Sequence, residues 1–418
     1  MGDLMRQYWL PAIRSDELAE PDGPPLRVRL LGEDLIGFRA SDGSVGLIQN
    51  NCPHRGASLF FGRNEESGLR CVYHGWKFAA SGECVDMPNE PAESDFKHKV
   101  TATAYPTRER GGIVWAYLGP RSEPPPLPDF EANMLGTHDT VVSIIHRPCN
   151  WMQGWEGEMD TVHQAFLHAG GTRLEDTKPG TFDYYIAQTR APKFAVIDTP
   201  YGTSYGAYRP ATQDSYYWRI AHMLMPFYAM IPAGMMGQQT RFAAYVPMDD
   251  EHTLHWEISH GLIAPDDLPT EARGSEGRAP AQRATKDYAP RTTDWYGRFN
   301  LVQSMANDYL IDRALQRSGK SYTGIPGIRQ QDMAVTESMG PVYKRWEEHL
   351  GTTDALIIRT RRRMIAAARA LAEQGVVPPG VDTPEVYRQR SGGILLPRDV
   401  NWWDATEAKR SEFIAATA

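Results

Sequence analysis

Cys52-Pro53-His54-Arg55-Gly56 and Cys71-Val72-Tyr73-His74-Gly75-Trp76-Lys77-Phe78 are the two stretches that decide how this chain is read. Each offers one thiolate and one imidazole. Two sulfurs and two nitrogens suit either a tetrahedral zinc ion or a [2Fe–2S] cluster with cysteines on one iron and histidines on the other. Proline and glycine inside the loops fix tight turns whose amides point inward, as bridging sulfides require. The flanking residues 45–51, 69–72 and 76–78 are short, apolar or aromatic, and strand-like. A zinc finger more typically places its histidines on a helix, and no helical periodicity flanks either loop. A zinc knuckle is the competing reading.

Working outward, 418 residues suit two domains, with 41% hydrophobic residues, 11 Trp and 19 Tyr to build a large core and an aromatic pocket. Net charge is −8, from 44 basic and 52 acidic residues, so no basic field addresses nucleic acid or an anionic membrane. Of the 4 cysteines, Cys84 and Cys149 lie outside the motif and read as ordinary reduced thiols. No apolar run reaches the roughly 18 residues of a membrane span. The start shows neither a signal-peptide pattern nor a myristoylation site, and a cytoplasmic protein is expected.

Residues 26–31, 34–40, 46–50 and 113–118 read as short strands separated by turn residues. The proline-rich residues 119–126 read as a stiff linker, dividing the chain into domains 1–125 and 126–418. Beyond it, strands are expected at 141–147, 184–189, 205–208, 216–224, 241–246 and 253–258, and helices at 150–168, 300–317 and 354–374. Strands in runs followed by helices argue an α+β domain with an antiparallel sheet. The polar residues 271–292 read as a surface excursion, either a lid or a disordered insertion.

A second constellation lies in Asn150-Trp151-Met152-Gln153-Gly154-Trp155-Glu156-Gly157-Glu158-Met159-Asp160-Thr161-Val162-His163-Gln164-Ala165-Phe166-Leu167-His168. Asp160 and His163, at i and i+3, share one helix face. His163 and His168 lie about 140° apart on a regular α-helix. Both face one metal only if the helix ends or carries a π-type turn between them. Taken alone, two histidines near an acid are as readily core or surface residues.

Together the two constellations resemble the Rieske non-haem iron aromatic-ring-hydroxylating oxygenases, in their alpha (terminal oxygenase) subunit. Residues 4–12, 308–313, 331–340 and 348–351 are similar to the phthalate 4,5-dioxygenase branch, so the resemblance spans essentially the whole chain. It implies an all-β Rieske domain followed by a helix-grip (START-like) catalytic domain with an antiparallel sheet. Cys52, His54, Cys71 and His74 would hold the [2Fe–2S] cluster. His163 and His168 would bind a mononuclear Fe(II) in a 2-His-1-carboxylate triad that leaves positions open for dioxygen. Asp160 would bond a ligand histidine on one side and a cluster histidine on the other. Asn150 matches an asparagine close to the iron. The third ligand comes from a late segment in which an aspartate precedes a glutamate by five positions, here Asp332 before Glu337. Asp308 and Asp312 are expected to cap or pair within a helix.

The same resemblance implies a homotrimer or a pair of trimers and a separate NADH-dependent flavin and iron–sulfur reductase. Electrons would leave through His74 and pass by Asp160 to His163 across a subunit interface. The outcome would be hydroxylation of an aromatic ring or monooxygenation such as O-demethylation of an aryl ether. Phthalate-type enzymes must neutralise substrate carboxylates, which arginine forks do bidentately. Arg209 resembles one such arginine, with Arg219 and Arg241 as further candidates. Methionines 223, 225, 230, 235 and 236 read as core or as an adaptable pocket wall. A pure electron-transfer Rieske protein would need only the first domain, and a START-like carrier would leave D-x-x-H-x-x-x-x-H without purpose.

Overall fold

Alternating apolar and polar residues make Leu26–Leu30 a half-buried strand. Turns at Gly32 and Gly43 fold it against Glu33–Arg39 and Val45–Gln49. In this computed structural model, which describes residues 1–136, 140–232, 234–262 and 286–413, two further small antiparallel sheets complete the first domain. One joins Trp9–Arg14, Ile113–Tyr117 and Thr107–Arg110. The other joins Arg63–Glu65, Gly68–Arg70, Lys77–Phe78 and Cys84–Asp86, and the second cysteine–histidine loop hangs between its middle strands.

The first domain has two cores. Ile36, Phe38, Ile48, Leu59, Leu69, Trp76 and Phe78 enclose the cysteine loops in a small cluster of their own. Leu10, Ile13, Trp115 and Tyr117 instead share one core with Phe130, Trp155, Tyr228 and Phe242 of the second domain. Burying an aliphatic side chain such as Leu10 or Ile13 contributes about 1.5–3 kcal/mol, whereas an exposed ion pair such as Arg121–Asp382 contributes about 0–1 kcal/mol. Core packing therefore holds the two domains together. The proline-rich stretch is part of this joint rather than a free tether. Pro125, Pro126 and Pro128 lie against Tyr8, Trp9, Tyr228 and Tyr387, and Trp9 Nε1 donates to the Pro125 carbonyl at 2.7 Å.

The second domain is built on one antiparallel sheet. Its order is Thr140–Arg147, Thr253–Gly261, Gln239–Pro247, Tyr228–Met230, Ser215–Leu224, Gly202–Pro210 and Lys193–Thr199, with Gly392–Pro397 also pairing Ser215–Leu224. The long helix Ala355–Gln374 buries Leu356, Ile357, Thr360 and Met364 against the sheet and ends on Gly375 in the left-handed region. Thr360 and Thr203 hydroxyls meet at 2.6 Å across that contact. No helix among the described residues is long and apolar enough to cross a membrane.

Three expected elements fail, the first being the helix over 150–168, which ends at Met159. Residues 184–188 of the expected strand 184–189 belong instead to the helix Phe182–Gln188, with Thr189 as its C-cap. The Thr181 hydroxyl accepts the Tyr184 N–H and starts a helix that the aromatic run disguises. Residues 300–317 do not form one helix. Asp308, Tyr309 and Leu310 have φ of +49°, +54° and +54°, and only Arg313–Arg317 is α-helical. The Tyr309 hydroxyl donates to buried Glu337, so a tertiary contact overrides helix propensity there. The proposed excursion at 271–292 lies, up to residue 285, outside the described residues.

Candidate metal centres and active site

Cys52 and Cys71 point inward, 2% and 3% exposed, while His54 and His74 sit half-buried at the rim. The loops close on themselves, with Gly56 N–H donating to the Cys52 carbonyl and Gly75 N–H to that of Cys71, each at 2.9 Å. Gly75 has φ +80°, and a Cβ there would lie 2.6 Å from Pro88 Cγ, so only glycine fits. The two imidazoles meet edge to face at 4.4 Å, and Trp76 stacks on His54 at 4.4 Å. The N–H groups of His54 and Arg55 aim at the Cys52 sulfur, and the Cys71 thiol adjoins it. Burial pushes the Cys52 thiol up to about 11, so a bound metal centre rather than the protein must hold it as thiolate. Two inward sulfurs with donors aimed at them, and two outward imidazoles on no helix, fit a [2Fe–2S] cluster.

The helix Trp151–Met159 stops just before the second constellation. Asp160 leaves helical geometry (φ −81°, ψ 106°), and its Oδ1 accepts the Val162 N–H at 2.7 Å. A short 3₁₀ turn, His163–Ala165, follows. This break brings His163 and His168 onto one centre, resolving the spacing conflict by ending the helix. Their Nε2 atoms lie 3.2 Å apart, and Asp332 Oδ1 lies 3.0 Å from His168 Nε2 and 3.6 Å from His163 Nε2. Bonds of roughly 2.1 Å at about 90° would place neighbouring donors about 3 Å apart, so the three fit one face of an octahedral iron. Among the described residues they form the one such group of metal-competent side chains outside the cysteine loops.

Each of these two histidines has its second nitrogen held. His163 Nδ1 lies 3.4 Å from Asp160 Oδ2, and His168 Nδ1 donates to Gln331 Oε1 at 2.7 Å. Gln331 is fixed in turn, its Nε2 donating to the Ile325 carbonyl at 2.8 Å. These bonds turn both Nε2 lone pairs toward the centre. Burial alone would raise the Asp160 and Asp332 carboxyls, but the neighbouring imidazoles outweigh it and hold both below their usual range. Gln331 was not anticipated from sequence, because its partner is 163 positions away and no spacing marks it. Gln331→Leu is expected to lower Fe(II) affinity by ~10–100-fold, read by Fe(II) titration of the iron-free protein, with the cluster absorption unchanged.

The remaining sequence candidates fall at different places. Asn150 caps the start of the helix Trp151–Met159, accepting the Met152 N–H at 3.1 Å and donating to the Asp250 carbonyl at 2.8 Å. The helix length separates it from the ligands, so its place is structural. Asp312 caps Arg313–Arg317, whereas Asp308 sits in the left-handed turn. Glu337 pairs with buried Arg147 at 3.3 Å. Arg209 and Arg219 share one sheet face with Tyr205 and Tyr217. Arg219 Nε approaches Thr161 Oγ1 at 3.3 Å, tying that face to the loop between Asp160 and His163. Arg241 is taken up elsewhere, its Nη2 on Glu257 Oε1 at 2.8 Å.

Residues 8–105 match the Rieske [2Fe-2S] domain family, and residues 116–413 match the LigXa C-terminal domain like family. The 3-chlorobenzoate-3,4-dioxygenase oxygenase subunit of Comamonas testosteroni is 45% identical over 98% of this chain and 94% of its own. The phthalate 4,5-dioxygenase oxygenase subunit of Pseudomonas putida is 37% identical over 97% and 90%. Among solved structures, dicamba monooxygenase bound to dicamba superposes with a TM-score of 0.60 over 88% of this chain and 99% of its own, at 18% identity, a likeness of fold. With a cysteine–histidine cluster cradle in one domain and a two-histidine, one-carboxylate centre in the other, the chain belongs to the Rieske non-haem iron oxygenases, as an oxygenase subunit of the phthalate 4,5-dioxygenase-like branch.

Proposed function

We propose that this oxygenase acts on a carboxylated aromatic substrate and that Arg209 receives the carboxylate. The observation that carries this is a buried guanidinium with spare donors. Arg209 is 0% exposed, its Nε donates to the Thr189 carbonyl at 2.7 Å, and among the described residues neither Nη atom has a hydrogen-bond partner. Burial, with Arg219 adding like charge, pulls its pKa down to about 10. An anion beside it relieves both penalties. The stacked Tyr185 and Tyr217 rings, 4.4 Å apart, supply aromatic surface next to it. His163, His168 and Asp332 would hold an iron that supplies oxygen-activating chemistry, and Cys52, His54, Cys71 and His74 would hold the cluster that supplies single electrons. The chain's own residues bind and orient: Arg209 and Arg219 the carboxylate, Asp160 and Gln331 the two imidazoles.

Arg209→Ala is expected to raise KM for an aromatic acid by roughly 10–150-fold, the worth of one charge-assisted hydrogen bond, with Arg209→Lys recovering only part because it lacks the fork. Product analysis under labelled dioxygen, across phthalates, substituted benzoates, methoxylated aromatic acids and their uncharged amides, tests the substrate class. Equal turnover of the uncharged amides would refute it. O-demethylation is the second reading, supported by the 5,5'-dehydrodivanillate O-demethylase oxygenase subunit of Sphingobium, 36% identical over 60% of this chain. Release of formaldehyde distinguishes it from ring dihydroxylation, which puts both labelled oxygens into a diol. The further features we propose are a domain boundary near residue 125, a trimer or pair of trimers, an NADH-dependent reductase and a cytoplasmic location.

A further inference from the structure

We propose that Arg329 is a positioning residue for the iron site: its guanidinium holds the outer oxygen of Asp332, so that the carboxylate offers the metal one oxygen and leaves a coordination position free for dioxygen. The proposal rests on the reading of His163, His168 and Asp332 as the iron ligands.

The two Asp332 oxygens face different partners. Oδ1 is the atom turned to both imidazoles, at 3.0 and 3.6 Å. Oδ2 is turned to Arg329 Nη1 at 3.6 Å, an ion-pair distance beyond a hydrogen bond. Arg329 and Asp332 sit at i and i+3 on the helix Ile328–Glu337, so the backbone fixes their adjacency. The guanidinium is also pinned by two glutamates, one of them on the same Nη1 that faces Asp332. Nη1 donates to Glu158 Oε1 at 2.7 Å and Nη2 to Glu257 Oε1 at 2.6 Å. Glu158 takes the Tyr245 hydroxyl at 2.7 Å, and Glu257 takes Lys286 at 2.7 Å and Arg241 at 2.8 Å.

The charges in this network balance: Asp332, Glu158 and Glu257 against Arg329, Arg241 and Lys286. Glu257 already has two cations besides Arg329, whereas buried Glu158 has Arg329 as its arginine partner, so the one guanidinium serves Glu158 and Asp332 together. A carboxylate beside a metal is free to bind through one oxygen or two, and two would fill a position that a 2-His-1-carboxylate site keeps open. A fixed cation at Oδ2 opposes that swing at no cost in reorganisation. Arg241, expected from sequence to meet substrate, serves here instead, as one of the groups that hold Glu257 and through it Arg329.

The test reads coordination rather than turnover. Nitric oxide, bound to Fe(II) in the protein with its cluster oxidised, reports the open position through the EPR signal and the affinity of the adduct. The charge-balanced pair Arg329→Leu with Glu158→Gln is expected to keep cluster and iron, weaken nitric oxide binding by ~10–100-fold, and alter the rhombicity of the signal. Glu158→Gln alone, which leaves Arg329 beside Asp332, is expected to match the unmodified protein. A signal unchanged in the pair, or shifted equally in both, overturns the proposal. If the pair does not fold, Arg329→Lys keeps the charge but loses the fork; a smaller shift in the same direction supports the role, and none overturns it. Failure of the unmodified protein to bind iron beyond the cluster would instead sink the ligand reading itself.

Discussion

His163→Ala is expected to remove the mononuclear iron and abolish turnover while leaving the cluster's visible absorption intact. The unmodified protein should carry about three irons and two acid-labile sulfides per chain, and the variant about two irons with the sulfide unchanged. The loss is local because the two centres stand in separate cores. The cysteine loops pack within Ile36, Phe38, Leu69 and Phe78, whereas His163 lies beyond the helix Trp151–Met159 in the second domain. His163 Nε2 is one of three donors that converge, and the other two are 3.0 Å apart without it. Two donors hold a divalent ion far less well than three, so the drop in turnover should exceed the ~10–100-fold typical of losing an outer partner such as Gln331. Measured activity within tenfold of normal, or one zinc per chain with no sulfide, would contradict the assignment.

Much of this site was legible in the sequence because its groups announce themselves by local spacing. Cys52, His54, Cys71 and His74 lie within two turns, and Asp160 and His163 fall within one. Where the ligands are distant, resemblance rather than spacing supplied the residue, as with Asp332. What the sequence hid are the contacts made between segments far apart in the chain. Gln331 meets His168 across 163 positions, and Arg329 meets Glu158 across 171. Neither pair leaves a periodic signature. Arg241 was misplaced for the same reason, since a strand arginine reads alike whether it faces substrate or Glu257.

The fold shows a similar division. The strands that alternation and turn residues mark, such as Leu26–Leu30, Glu33–Arg39, Val45–Gln49 and Ser215–Leu224, were readable within a residue or two, whereas Trp9–Arg14, Thr107–Arg110, Lys193–Thr199, Tyr228–Met230 and Gly392–Pro397 were not expected. Tyr184-Tyr185-Ile186 misled because aromatic and β-branched residues favour strands, while the Thr181 cap and the burial of Tyr185 and Ile186 favour a helix. Residues 305–310 misled in the opposite sense. Their composition suits a helix, but buried Glu337 draws in the Tyr309 hydroxyl and bends the backbone through three left-handed residues.

Asp160→Asn is expected to leave both metal centres filled and yet slow reoxidation of the reduced cluster by about four orders of magnitude, the scale on which an Asp→Asn change misorients a catalytic imidazole. Asparagine keeps the shape, and its oxygen can still accept the Val162 N–H that ends the helix, so the loop and the three proposed iron ligands stay in place. What changes is the second atom. Asp160 Oδ2 now faces His163 Nδ1 at 3.4 Å, and an amide NH₂ there would set donor against donor. The carboxylate is 31% exposed on its side chain and joined by no hydrogen bond to His74 among the described residues of the same chain. At the rim beside His74, Val72 and Tyr73 are 58% and 55% exposed. A half-buried acid and a half-buried imidazole, with no hydrogen bond between them among the described residues of one chain, suit the proposed contact across a subunit interface. Stopped-flow absorbance of the reduced cluster on adding substrate and dioxygen measures the rate, and a normal rate in Asp160→Asn would exclude the bridge. The path between subunits is separately checked by mixing two inactive variants, His163→Ala and Cys71→Ser, in one oligomer. Activity should return only if an intact cluster on one chain serves an intact iron site on another; mixtures that stay inactive despite forming would place the whole path within a single chain.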